Sequence, residues 1–397
     1  MEYGIPALIC LLTGWIWSRG RIVPVIATAW LVCTASLTLA LDIPVPRPKP
    51  SFQPSNHITP PEPSFFKIAT GSTGGTYFPI GEALAAIISH PAGSERCEQE
   101  ALCGPRGMQA VTQFSNGSVR NIRAVNAGEV ASGLAQADLV GAAYRGQGIF
   151  AQEGAHGDLR AIASLYQESV HLIVASQSDI TSVADLNGKS LSIDRKGSGT
   201  NANARIILEA FNVSLATLEL VELDPLEAAD LISNGDLDAF FFVGGAPVTI
   251  VKELISSGAA RLLPIDGPGM VAARNNLMGF EQTLLQASIY GTPNDVPTLS
   301  IGALWIVNSN VSQDRIYQIT RALWQAENRD ILLESHILGE QITLARAVTG
   351  LPIPLHSGAA QYYEELTLMG ETNKAPAEIT PFDVEPANQG DSGSANN

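Results

Sequence analysis

Two segments of this chain carry the chemistry to hold a small molecule: Gly71–Thr76 (GSTGGT) and Gly197–Thr200 (GSGT). The first follows an apolar alternating run, Phe66–Ala69, and precedes an apolar pattern of helical period from Tyr77 onward. The same order recurs over residues 190–211. A strand, a glycine loop and a helix N-terminus in succession present backbone N–H groups at one spot, where the helix dipole favours negative charge. Gly74 and Gly75 are expected to let the backbone approach a ligand that a Cβ would hold off. Gly199 plays the matching part in the second loop. Neither loop is a nucleotide fingerprint: the first lacks the lysine of a phosphate-binding loop, and its spacing is not G-x-G-x-x-G. Either loop alone also reads as ordinary turn geometry. The matched pair, with hydroxyls at the caps (Thr73 and Thr76; Ser198 and Thr200), predicts two walls of a single cleft.

Other candidates are weaker one by one. Ser118 begins a helix after the Asn116-Gly117 turn and is either a ligand donor or an N-cap. Gln136 ends an apolar stretch, and Asp138 two residues on is placed to cap the next helix. Gly244-Gly245, at the end of the apolar run LDAFFFV, permits close backbone approach or a simple turn. No catalytic set emerges: the six histidines are scattered, neither H-E-x-x-H nor G-x-S-x-G occurs, and Ser198 has no identifiable base. Tyr166 and Glu168, beside His171, form the best titratable cluster, but they fall at the expected hinge, where structural hydrogen bonding is the better reading. The sequence therefore assigns no catalytic residue, metal or cofactor. Arg106, Arg120, Arg123, Arg195 and Lys196 are the candidate partners for a carboxylate.

The elements that must position these residues follow from length and pattern. With 397 residues, 45% of them hydrophobic and 16% charged, the chain has room for two α/β domains. A net charge of −16 argues against nucleic acid or an anionic membrane surface as partners. Residues 1–41 read as an N-terminal signal or membrane anchor: Arg19 and Arg21 precede the uncharged run Ile22–Leu41, with Thr38-Leu39-Ala40 as a candidate cleavage site. The run is also long enough to span a bilayer uncleaved. Residues 42–63 hold eight prolines and form a semi-stiff linker. Residues 371–397 are an acidic, Asn/Gly/Ser-rich tail of disordered composition. Cys97 and Cys103, six apart in a polar loop of an exported chain, are expected to form a local disulfide.

Between linker and tail, strands alternate with helices, the signature of parallel α/β sheets. Strands are expected at 159–165, 171–176, 237–243, 261–265 and 298–307. Residues 171–176 and 298–307 read as crossovers between lobes. Lobe one then comprises 64–170 plus the return at 298–370, and lobe two comprises 171–297. Two open sheets with loops at their carboxyl ends make an interlobe cleft.

Several segments together resemble the TAXI family, the solute-binding subunits of TRAP transporters. They are IATGSTGGTYFPIG (68–81), GSVRN (117–121), GLAQAD (133–138), LYQESVHLIV (165–174), DLNGKS (185–190), GSGT (197–200) and GDLDAFFFVGGAP (235–247). LHSGA (355–359), followed by Tyr362-Tyr363-Glu364, completes the set and differs from the family's usual LHPGA at Ser357. The resemblance implies a type II periplasmic-binding-protein fold, two α/β lobes closing on a small organic solute, dicarboxylate or amino acid, for an ion-gradient-driven permease. Carried across by position, the ligand loops are Thr73, Gly74, Gly75, Thr76 and Tyr77; Ser118 and Asn121; Gln136; Ser198, Gly199 and Thr200; and Gly245. The expected place is the periplasm, with an N-terminal membrane tether if the leader stays on. Two rivals remain: an enzyme on the same two-lobe scaffold, which needs a free cysteine or a perturbed acid at the interlobe face, and a membrane-tethered ligand sensor.

Overall fold

In the computed structural model, which describes residues 64–370, one sheet of ten strands runs through the molecule, and helices cover both of its faces. The expected N-terminal segment, proline-rich linker and acidic tail lie outside the described residues. The strands are β1 (Ser64–Ala69), β2 (Met108–Gln113), β3 (Ser132–Gln136), β4 (Leu159–Ala175), β5 (Ser190–Ser192), β6 (Glu219–Val221), β7 (Ala239–Gly244), β8 (Ala260–Leu262), β9 (Glu281–Leu285) and β10 (Val296–Asn308). The helices are α1 (Tyr77–Ile88), α2 (Ser118–Asn126), α3 (Ala137–Arg145), α4 (Gly199–Ala210), α5 (Pro225–Asn234), α6 (Thr249–Ser256), α7 (Gly267–Asn276), α8 (Ala287–Tyr290), α9 (Gln313–Leu323), α10 (Arg329–Ser335) and α11 (Ser357–Gly370).

Strand order is β2-β1-β3-β10-β4-β7-β5-β6, with β8 paired to β4 and β9 to β10. β1 lies parallel to β2 and β3, and β5 lies parallel to β6 and β7. Between these parallel groups, β10 and β4 run antiparallel to each other along Leu159–Ser169. Each then continues into the far half: β4 onto β7 over Ser169–Val174, and β10 onto β9 over Val296–Ser300. This is a mixed α/β fold, an open sheet with helices on both faces. One reading needs correction. Residues 159–165 and 171–176 are not separate strands but one 17-residue strand. The polar Gln167-Glu168-Ser169 stretch that seemed to divide them is held in strand geometry by β10, which pairs with all three residues.

Successive residues of a strand face opposite sides of a sheet. Phe241 and Leu172 join one core that runs beneath both halves, with Ile122, Val140, Ile207 and Leu304. Their neighbours Phe240 and Ile173 join a second cluster with Ile232 and Leu254. Trp305, beside Leu304, enters a third with Phe66, Ile80, Leu84 and Ile316. β4 and β7 are buried almost throughout, which is why both read as continuous apolar runs rather than as alternation. Cys97 and Cys103 form the expected disulfide, with their Cα atoms 5.5 Å apart.

Candidate functional site

The carboxyl ends of five strands converge on one spot, where open α/β sheets bind ligands. Beyond β1 come Gly71, Ser72, Gly75, Thr76 and Tyr77; beyond β2, Asn116, Gly117 and Ser118; and β3 ends in Gln136. From the other half come Asp194, Ser198, Gly199 and Thr200 after β5, Pro225 at the start of α5, and Phe242 and Val243 of β7. Glu168, on the shared strand β4, completes the wall. The cavity between them holds about 50 Å3.

The two halves are in hydrogen-bonding contact. The Arg120 N–H donates to the Gly197 carbonyl (3.0 Å), and Asn116 Nδ2 donates to the Lys196 carbonyl (2.9 Å). Asn203 Nδ2 donates to Gln136 Oε1 (3.0 Å), and the Gly245 N–H to Thr76 Oγ1 (3.4 Å). The approach is closest at Gly199, where a Cβ would sit 1.9 Å from Gln136 Oε1 and 2.9 Å from Ser118 Oγ. Gly117 faces it at a φ of +111°, a conformation only glycine adopts without strain.

Of the residues expected from sequence, Gly75, Thr76, Tyr77, Ser118, Gln136, Ser198, Gly199 and Thr200 line this cavity. Thr73, Gly74, Asn121 and Gly245 do not. Thr73 is exposed. A Cβ on Gly74 would meet Leu226, and one on Gly245 would meet Leu338. Asn121 is fully buried and spends its amide on the carbonyls of Thr70 (2.6 Å) and Leu134 (2.8 Å), tying two strand ends together. The N–H cradle expected at Gly74 and Gly75 is also absent. Their N–H groups turn inward, to Ser72 Oγ (3.3 Å) and the Ser72 carbonyl (3.0 Å), because the loop must satisfy its own backbone.

The second loop keeps its donors. Ser198 Oγ caps α4 by accepting from Asn201 N–H (2.9 Å). The Gly199 and Thr200 N–H groups begin the same helix and have no intrahelical acceptor. Thr200 Oγ1 accepts from the Val243 N–H (3.0 Å), which fixes α4 to β7. Ser118 is the first residue of α2 rather than its cap; its Oγ accepts from the Gln136 N–H (3.2 Å) and lies 3.3 Å from the Tyr77 hydroxyl. Asp138 sits in the first turn of α3 without capping it.

The charges differ most from expectation. No Lys, Arg or His lines the cavity. Arg120, Arg123 and Arg195 are held outside it, on Glu129 (2.7 Å), Glu153 (2.5 Å) and Glu227 (2.9 Å). Two carboxyl groups that composition did not single out as ligand contacts stand there instead. Glu168 accepts from the Tyr77 hydroxyl (2.9 Å), and burial pushes its carboxyl up to about 8, with Asp138 adding to the rise. Asp194 is raised to about 7, again chiefly by burial, and sits at a φ of +68° in the left-handed region. Burial and the nearby Glu168 carboxylate hold the Tyr77 phenol well above its usual range. Among the described residues, no three His, Cys, Asp or Glu side chains converge to hold a metal ion, and no helix is long and apolar enough to cross a membrane.

The sequence matches the model of the NMT1-like family over residues 68–366. The chain belongs to the NMT1-like family. That match takes in the whole sheet apart from the start of β1, and every residue of the cavity. Among solved structures, this NMT1-like chain is similar to the alkanesulfonate-binding protein SsuA of Xanthomonas axonopodis pv. citri bound to MOPS. The two are 17% identical, with 78% of this chain and 93% of that one covered and a TM-score of 0.40. It is also similar to the periplasmic aliphatic sulphonate-binding protein SsuA of Escherichia coli, at 14% identity over 84% and 99% of the two chains with a TM-score of 0.38. A third is MatC of Rhodopseudomonas palustris with bound malate, at 13% identity over 77% and 98% of the chains with a TM-score of 0.45.

Proposed function

We propose that this NMT1-like chain is an extracytoplasmic solute receptor that closes its two lobes on a small organic solute and delivers it to a TRAP-type permease. The observation that carries the reading is the cavity itself, which is walled by loops from both halves of the sheet and bridged by hydrogen bonds between them. A ligand drives closure only through contacts it makes with both halves at once. Gly75, Thr76, Tyr77, Ser118 and Gln136 form one wall, and Ser198, Gly199 and Thr200 the other. The permease partner and the periplasmic location rest on the TAXI resemblance.

Of the two ligand classes that resemblance implies, an amino acid suits the cavity better than a dicarboxylate. Its carboxylate meets hydroxyls and the α4 N-terminus, while its ammonium meets Glu168 or Asp194, whose ionised form a bound cation favours. A dicarboxylate finds no cation and two acids.

The enzyme reading keeps one supporting observation, since Glu168 is a perturbed acid at the interlobe face. The cysteine version finds no free thiol among the described residues, where Cys97 and Cys103 are joined as a disulfide. Thermal scanning of the full chain against amino acids and organic acids tests the receptor reading. A ligand at 100 times its Kd adds about 2.7 kcal/mol, and scattering reports compaction. No stabilising compound, or conversion of one seen by NMR, refutes it.

A further inference from the structure

A second cavity, about 650 Å3, lies against the same two central strands and is larger than the one in the cleft. It falls within the range of small-molecule sites, roughly 300–1,000 Å3. Ser164 and Gln167 of β4 line it, together with Asp138 and Arg145 from the two ends of α3, Arg346, and Glu281 at the start of β9. Gln167 faces this cavity while its neighbour Glu168 faces the cleft, as the two-residue period of a strand requires. Gln136, the last residue of β3, lines the cleft, and Asp138, in the first turn of α3, lines this cavity.

The groups are arranged in depth. Asp138 and Ser164 are buried at the floor, at 9% and 6% exposure. Arg145, Gln167 and Glu281 are exposed at the rim, and Arg346 is half-buried. Asp138 Oδ1 is buried with no hydrogen-bond partner. A buried carboxylate oxygen left unsatisfied is costly, and a native structure that keeps one has a use for it. The two guanidiniums are also free of acid partners: neither forms an ion pair with a described residue. Arg145 Nε donates to Gln147 Oε1 (3.1 Å), and Arg346 Nη2 to the Gln167 side-chain oxygen (3.2 Å) with that amide turned to satisfy both its groups. Planar guanidinium donors suit a carboxylate.

We infer that this cavity is a second binding site, which takes a small zwitterion with its ammonium on Asp138 at the floor and its carboxylate on Arg145 and Arg346 at the rim. Glu281 at the rim repels the carboxylate end and sets its direction toward the two arginines. Because β4 lies between the two cavities and lines both, occupancy of one shifts the affinity of the other, and by linkage the effect is mutual.

The test is titration calorimetry of the full chain with L-alanine, β-alanine and 4-aminobutyrate, whose charges lie progressively farther apart. Propionate and ethylamine serve as half-ligands. At least one zwitterion binds, both half-ligands bind more weakly, and affinity falls at least tenfold in Arg346→Ala and in Asp138→Asn while Gly199→Ala, a cleft variant, keeps it. Arg346 sits near the surface, so its variant decides the matter should Asp138→Asn fail to fold. Ser198→Ala replaces Gly199→Ala on the same ground. The inference is overturned if none of the three zwitterions binds or if Arg346→Ala binds as the wild type does. It is equally overturned if only the cleft variant loses binding, a result that leaves the cleft receptor intact.

Discussion

Replacing Gly199 with alanine is expected to wedge the cleft. The added Cβ would stand 1.9 Å from Gln136 Oε1, against 3.4 Å for ordinary contact, so closure requires Gln136 to retreat. Gln136 is 98% buried, and its Oε1 accepts from Asn203 Nδ2. Retreat breaks that bond and strands a buried amide, a cost of roughly 1–3 kcal/mol. The closed state should therefore lose roughly 1–3 kcal/mol relative to the open one. At about 1.4 kcal/mol per factor of ten, ligand affinity falls about fivefold to about 150-fold. Calorimetry with the ligand found by scanning measures the loss, and small-angle scattering should show less compaction than in the wild type. Gly157→Ala is the control, because a Cβ there meets nothing within 4 Å. If Gly199→Ala binds within twofold of wild type and compacts equally, the cleft does not close on its ligand as argued.

Three further outcomes are expected. Glu168, Asp194 and Asp138 are all raised by burial, so the native state holds protons that the unfolded chain has released. Their contribution is full below about pH 4 and is lost as the pH rises through about 8; for Glu168 alone the change is at most roughly 5 kcal/mol. Denaturant titrations at pH 5 and pH 9 should show this fall, and Glu168→Gln should flatten it; stability that rises over this range contradicts the assignment. Ser198→Ala removes the cap of α4 and should cost about 1 kcal/mol of stability as well as weakening ligand binding; an unchanged melting curve argues against the capping geometry. Reducing Cys97–Cys103, whose partners are 6 residues apart, should cost about 2 kcal/mol from loop entropy, seen as a lower denaturant midpoint.

What sequence reveals here is set by how local each feature is. The two Gly/hydroxyl loops are legible because strand, loop and helix follow one another within a few residues. The direction of their N–H groups is not, since Ser72 captures those of Gly74 and Gly75 through a turn with no apolar signature. Glu168 and Asp194 escape notice as ligand groups because only the meeting of two distant chain segments buries them. The same holds in reverse for Arg120 and Arg195, which look like anion ligands until Glu129 and Glu227 are found beside them. The continuity of β4 is hidden because polar residues facing a cavity interrupt its apolar run. The second cavity is built from α3, β4, β10 and two later loops, and no stretch of sequence announces it.

β10 stands at the centre of the sheet but comes from the last third of the described chain. While the polypeptide leaves the ribosome, β3 and β4 both wait with a bare edge for residues 296–308. Bare edges invite wrong partners, and pairing across such a separation is slow. The chain therefore cannot commit to its fold early. Until Asn308 has emerged, the sheet can form only as two fragments, one built on β1 to β3 and one on β4 to β8, a form still open to chaperones.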